Sequence, residues 1–96
     1  MEIDKIKLTL RESTPYLKSE YGVESIGIFG SFVRGEQDST SDLDVLVTFI
    51  EKPGLFKFIS LENYLSDLLG IKVDLVMPSA LKNRIGKEIH SEVILI

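Results

Sequence analysis

The sequence predicts a small α/β (α+β) protein, a mixed sheet of about three to four strands with helices packed against it. Three observations carry that expectation. Two stretches, around residues 2–19 and 55–69, repeat apolar residues at three- and four-residue spacing. Three short runs, 24–30, 43–50 and 71–77, are apolar and rich in β-branched residues. Glycine and proline punctuate the boundaries between them.

In chain order, Ile3, Ile6, Leu10 and Leu17 lie at near-helical spacing with charges between them. They predict a helix over about residues 2 to 19, with a break or restart near Ser13-Thr14-Pro15, because proline removes a backbone donor and clashes with the preceding turn. Gly22 is the expected stop. ESIGIFG (24–30) reads as a first strand, 31–35 as a short turn of helix or loop, and the polar cluster Gln37 to Ser41 as an exposed loop. LDVLVTFI (43–50) reads as a buried second strand. After Pro53-Gly54, the residues Leu55, Phe58, Ile59, Leu61, Leu65, Leu68 and Leu69 mark an amphipathic helix closed by Gly70, with Glu62 and Asp67 on its solvated face. IKVDLVM (71–77) is the third strand. A last helix is expected over about 79–91, with Leu81, Ile85 and Ile89 on one side, and VILI at the end is a short strand or an apolar tail.

Ninety-six residues with 44% apolar content suit one domain, expected to span residues 1–96, with one small core. No apolar run approaches the roughly 20 residues needed to span a bilayer, and the first residues lack a signal peptide's continuous apolar stretch. The absence of cysteine rules out disulfides and thiolate metal sites and suits a reducing compartment, so a cytoplasmic location is expected, with no membrane partner. The net charge of −4, from 15 acidic and 11 basic residues, shows no basic footprint, so stable binding to nucleic acid is not expected. With one histidine, His90, far in sequence from the acidic residues, zinc is disfavoured.

The chemistry concentrates in IFGSFVRGEQDSTSDLDVLV, residues 28–47. Gly30-Ser31 closes one strand-like run, and ten residues later Asp42-Leu43-Asp44 opens the next. Alternate side chains of a strand share a face, so Asp42 and Asp44 project together. Paired carboxylates repel unless a divalent cation lies between them, and hard oxygen donors suit Mg²⁺, which commonly takes one or two carboxylates plus substrate phosphates. Asp42 alone reads equally well as a turn cap. Asp44 does not, since it sits inside an apolar run between Leu43 and Val45. Asp74, within KVDLV, falls on the same face if its strand pairs beside the second. Glycine at position 30 permits close approach of a phosphate chain, and Ser31 offers either a phosphate donor or an N-cap. Arg34 reads as a phosphate contact or as a brace to Glu36 or Asp38. Gly27, Gly30 and Gly35 match neither the P-loop nor the dinucleotide fingerprint.

Gly30-Ser31, the ten-residue gap and Asp42-x-Asp44 resemble the signature of the polymerase-beta-like nucleotidyltransferase superfamily. GSFVRGE and SDLDVLV resemble its smallest members, the minimal nucleotidyltransferase (MNT) domains. The resemblance covers nearly the whole chain. It implies the corresponding fold, ATP as substrate and a pair of Mg²⁺ ions. Asp42, Asp44 and Asp74 would be catalytic and metal-binding, and Gly30, Ser31 and Arg34 would bind the nucleotide. Asp74, as the third carboxylate, would activate the attacking hydroxyl. It further implies the antitoxin half of a toxin–antitoxin pair, transferring AMP to a tyrosine hydroxyl of a HEPN-domain toxin. Two other classes remain open from the residues: a binding antitoxin that neutralises its partner by contact, for which Leu81, Ile85, Ile89 and Val93 to Ile96 would supply an apolar surface if they do not close the core, and a small-molecule nucleotidyltransferase.

Overall fold

A computed structural model describes residues 2–80 and 91–96. In chain order the elements are α1 (Ile3–Tyr21), β1 (Val23–Phe29), α2 (Ser31–Arg34), β2 (Leu43–Phe49), α3 (Leu55–Leu69), β3 (Val73–Val76), a single 3₁₀ turn (Pro78–Ala80) and β4 (Ile94–Leu95). The four strands form one mixed sheet in the order β3-β2-β1-β4. β2 pairs antiparallel with β1 and parallel with β3, which it reaches through α3, while β4 runs antiparallel to β1 on the other side. The expected mixed sheet with packed helices is therefore present.

Strand alternation sorts the sheet into two faces. Ile26 and Ile28 of β1, Leu43, Val45 and Val47 of β2, and Val73 and Leu75 of β3 enter one core cluster with Ile6, Leu10 and Leu17 of α1 and Leu61, Leu65 and Leu69 of α3. The other face carries Ser25, Gly27 and Phe29, then Asp44, Leu46 and Thr48, then Asp74 and Val76 in the matching register positions. Gly27 admits β4 beside it: a Cβ there would lie 2.6 Å from Val93 Cγ1 and 3.1 Å from the Ile94 carbonyl oxygen.

α1 departs from expectation, since it runs unbroken through Pro15. Pro15 is exposed, so its ring faces solvent. The hydroxyls of Ser13 and Thr14 donate to the carbonyls of Thr9 and Leu10, both at 2.9 Å, along the helical path. An interior proline costs about 3 kcal/mol. Burying Ile6, Leu10 and Leu17 completely is worth about 1.5–3 kcal/mol each, so the packing outweighs the proline.

α3 spans the expected range, but its exposed and buried residues are not quite those the periodicity marks. Leu61, Leu65 and Leu69 are buried, whereas Leu55 and Ile59 near its start are exposed. Glu62 is also not a simple solvated residue. Its Oε2 accepts the Leu75 N–H at 2.9 Å, and Ser66 Oγ accepts the Val73 N–H at 3.0 Å. Two amides of β3, an outer strand of the sheet, are thus satisfied from α3. Asp67 is exposed as expected.

The polar loop before β2 is exposed and tied by Asp38, whose Oδ1 accepts the Thr40 N–H at 2.8 Å and the Thr40 hydroxyl at 2.7 Å. The terminal run forms β4, and Ile94 and Ile96 pack against the core while Leu95 is exposed. The helix expected over 79–91, with Leu81, Ile85 and Ile89, and His90 lie largely outside the described residues. Among the described residues, no helix is long and apolar enough to cross a membrane.

Candidate functional site

Three segments converge at the β1–α2 turn. β1 ends at Phe29, and Gly30 follows with φ 83° and ψ −155°, a combination that only glycine adopts without strain. This geometry turns the chain at once into α2. Gly30 is the N-cap residue and makes no side-chain cap, so Ser31 begins the helix and does not cap it. α2 is a single turn of four residues that packs on β1 and β2.

β2 then delivers the carboxylates. Asp44 pairs with Phe29 across the β1–β2 ladder and stands in register with Asp74 across the parallel β2–β3 ladder. Neighbouring strands lie about 4.8 Å apart, so these two side chains leave the same face as direct neighbours. Asp42, two residues before Asp44, immediately precedes β2 and is half-exposed, with Lys72 Nζ 3.7 Å from its Oδ2. Asp74 is exposed and Asp44 is half-buried. A Cβ at Gly30 would collide with Asp44 Oδ2. The glycine therefore lets the Asp44 carboxylate pack directly against the backbone of the turn.

Electrostatics mark Asp44 as the group under most stress. Its pKa is raised from 3.8 to about 6, first by burial and then by the charges of Asp74 and Asp42, with Arg34 pulling the other way. Asp44 is thus a partly buried carboxylate with a net excess of negative charge around it, a condition a divalent cation relieves. Among the described residues, no group of three or more His, Cys, Asp and Glu side chains forms a metal-holding cluster. The set is two strand neighbours and a flanking third, not a closed cage. That suits a cation which completes its shell with phosphate oxygens and water.

Arg34 is a brace in this structure. Its Nε donates to Glu36 Oε1 at 2.8 Å, and its Nη1 donates to Glu92 Oε1 at 3.0 Å and Oε2 at 3.2 Å. These glutamates, Glu36 first, raise its pKa further. Asp38 is not a partner among these bonds. Glu92 also accepts the Gly30 N–H through Oε1 at 2.7 Å. Sequence reasoning missed Glu92 altogether. The available signal was an acidic residue directly before an apolar β-branched run, the same arrangement as Asp42 before LDVLV.

The structure therefore brings together Gly30, Arg34, Asp42, Asp44 and Asp74, with Ser31 adjoining Gly30, and adds Glu92. The result is a glycine turn packed directly against one of two neighbouring carboxylates.

Comparison with known proteins agrees. Residues 10–96 match the family model described as a nucleotidyltransferase domain. The protein adenylyltransferase MntA of Thermococcus cleftensis is 47% identical over 96 residues, covering 100% of this chain and 97% of its own length. A solved structure provisionally named a minimal nucleotidyltransferase superposes with a TM-score of 0.81 at 34% identity, covering 98% of this chain and 95% of that one. A chain in the complex of a tri-AMPylated Shewanella oneidensis HEPN toxin with an MNT antitoxin shares the fold, with a TM-score of 0.67 at 18% identity over 94% of this chain and 70% of that one. The family match and the relatives lead to one conclusion: this chain belongs to the nucleotidyltransferase domain family and is a nucleotidyltransferase.

Proposed function

We propose that this nucleotidyltransferase is an antitoxin that transfers AMP from ATP, with Mg²⁺, to a tyrosine hydroxyl of a partner HEPN-domain toxin. The observation that carries the reading is the in-register pair Asp44 and Asp74, with the Asp44 carboxylate packed directly against the Gly30 turn. The names of the Thermococcus relative and of the Shewanella complex support the choice of protein acceptor and toxin partner.

In this reading Gly30 and Ser31 hold the triphosphate, the glycine by close approach and the serine by donating its hydroxyl to a phosphate oxygen. Asp42 and Asp44, with Asp74, would hold Mg²⁺, which when bound neutralises the phosphates and the charge that develops on the leaving pyrophosphate. Asp74 is the more exposed member of the pair, which supports giving it the acceptor. It orients the acceptor hydroxyl and takes its proton as the new oxygen–phosphorus bond forms at the α-phosphorus. The bond to the bridging oxygen breaks, and pyrophosphate carries away the electron pair. Arg34, braced by Glu36 and Glu92, would lie beside the phosphate chain.

Transfer of label from α-³²P-ATP tests this, with the protein alone, with the product of its neighbouring gene, and with the Asp42→Ala/Asp44→Ala variant. Label on the neighbour only with intact carboxylates supports the reading. A neighbour inhibited without label makes the protein an antitoxin by contact. Label on a small molecule without any protein acceptor makes it a small-molecule nucleotidyltransferase.

A further inference from the structure

We propose that Glu92 is a positioning residue of the nucleotide site, fixing the Gly30 turn and the direction of the Arg34 guanidinium with one carboxylate. The proposal rests on the nucleotidyl-transfer reading and adds a residue to it.

The register of the sheet explains how Glu92 arrives there. β4 pairs with β1 through Ile28↔Ile94 and Gly27↔Leu95. Continued antiparallel, that ladder sets Glu92 opposite Gly30, where the strand leaves its regular path. The two-residue strand is thus the device that hands a carboxylate from the end of the chain to a turn 62 residues earlier. The Gly30 amide lies in a buried residue, and an unmet amide there would cost roughly 1–3 kcal/mol. Glu92 Oε1 meets it. The same oxygen and its partner Oε2 take Arg34 Nη1, while Glu36 takes Nε. Among the described residues these bonds use Nε and Nη1, which leaves Nη2 to an incoming oxygen. The Glu92 side chain is 27% exposed against 47% for Arg34, so the anchor is the better buried partner.

A contrary role is chemically reasonable. A carboxylate on a glycine amide and an arginine could be a stand-in for phosphate that ATP must displace. The two roles predict opposite signs on removal, because an anchor helps nucleotide binding and an occupant competes with it.

The experiment is equilibrium binding of ATP with Mg²⁺ to the full chain by titration calorimetry, comparing wild type with Glu92→Ala, Glu92→Gln, Arg34→Ala and the Glu92→Ala/Arg34→Ala double variant. Glutamine keeps an oxygen for the Gly30 N–H. The expected result is about tenfold or greater weakening in Glu92→Ala, substantial rescue in Glu92→Gln, and a double variant no weaker than the poorer single. Binding in Glu92→Ala equal to or tighter than wild type overturns the proposal, as does strict additivity in the double variant. Should Glu92→Ala fail to fold, Glu92→Gln against Arg34→Ala gives the same comparison: tighter binding in the glutamine variant overturns it. A wild-type protein that binds no ATP fails the nucleotidyltransferase reading itself, a result distinct from any of these.

Discussion

The two faces of β2 are made from alternate residues of one seven-residue strand, yet they obey different rules. Leu43, Val45 and Val47 are fully buried against α1 and α3. Asp44, between two of them, stands beside a second carboxylate on a sheet face and carries a raised pKa. One face lowers the free energy of the fold, and the other stores repulsion that folding must tolerate. Stability and the proposed activity are therefore separable in this protein residue by residue, at a spacing of one position.

Breaking the first face should have the largest effect. Leu65→Ala, at a fully buried site of α3, is expected to cost about 2–5 kcal/mol and lower the denaturation midpoint sharply, seen by urea titration. A loss below about 1 kcal/mol would mean the core repacks freely.

Asp44→Asn sharpens the contrast, because it should abolish activity and stabilise the fold. Activity should fall by roughly 100-fold or more in the label-transfer assay. In the folded state Asp44 keeps its proton up to about pH 6, whereas unfolded it loses it near 3.8. Its contribution to stability is thus fully present below pH 3.8 and is lost as pH rises through about 6. The asparagine variant should therefore melt higher than wild type at pH 8, with the gain gone at pH 3.5. Mg²⁺ should raise the wild-type midpoint at pH 8 and leave the variant's unchanged. A variant that melts lower at pH 8 would show that the fold does not disfavour the ionised Asp44 carboxylate.

Gly30→Ala attacks the boundary between the faces. It places a Cβ against Asp44 Oδ2 at a backbone conformation that costs about 1–3 kcal/mol for other residues. Nucleotide binding should suffer more than stability, and calorimetry with ATP measures the difference. Glu62→Ala removes the acceptor of the Leu75 N–H and should cost about 1–2 kcal/mol in thermal unfolding with little change in transfer rate. The smallest effect belongs to Phe56→Ser. Its ring is 87% exposed, so stability should change by less than about 0.5 kcal/mol.

Local signals made much of this legible from the chain. The glycines at 22 and 70 end their helices as expected, and the spacing of Gly30, Asp42 and Asp44 reports a turn and a strand joined by one loop. The placement of Asp74 beside Asp44 was legible on one condition, that its strand pair beside the second, and β3 does pair with β2 in that register. Three features were not. The continuity of α1 through Pro15 depends on how tightly Ile6, Leu10 and Leu17 pack, which periodicity cannot weigh against the proline. The role of Glu62 depends on which strand becomes the outer one beside α3. Glu92 lies 62 residues from its partner, and only the β1–β4 register relates them.

The parallel ladder that sets Asp44 beside Asp74 also constrains how the chain can misassemble. A slip of β3 by one residue along β2 would turn Asp74 toward α1 and α3 and bring Val73 and Leu75 out. It would bury a charge without a partner in a small core, a penalty of several kcal/mol. The same carboxylate that would serve the reaction therefore works during folding as an alignment key, rejecting the neighbouring pairing of two short strands rich in interchangeable valines and leucines. Replacing Asp74 by an apolar residue would remove that key along with the chemistry, and the altered chain would have less reason to settle on one arrangement.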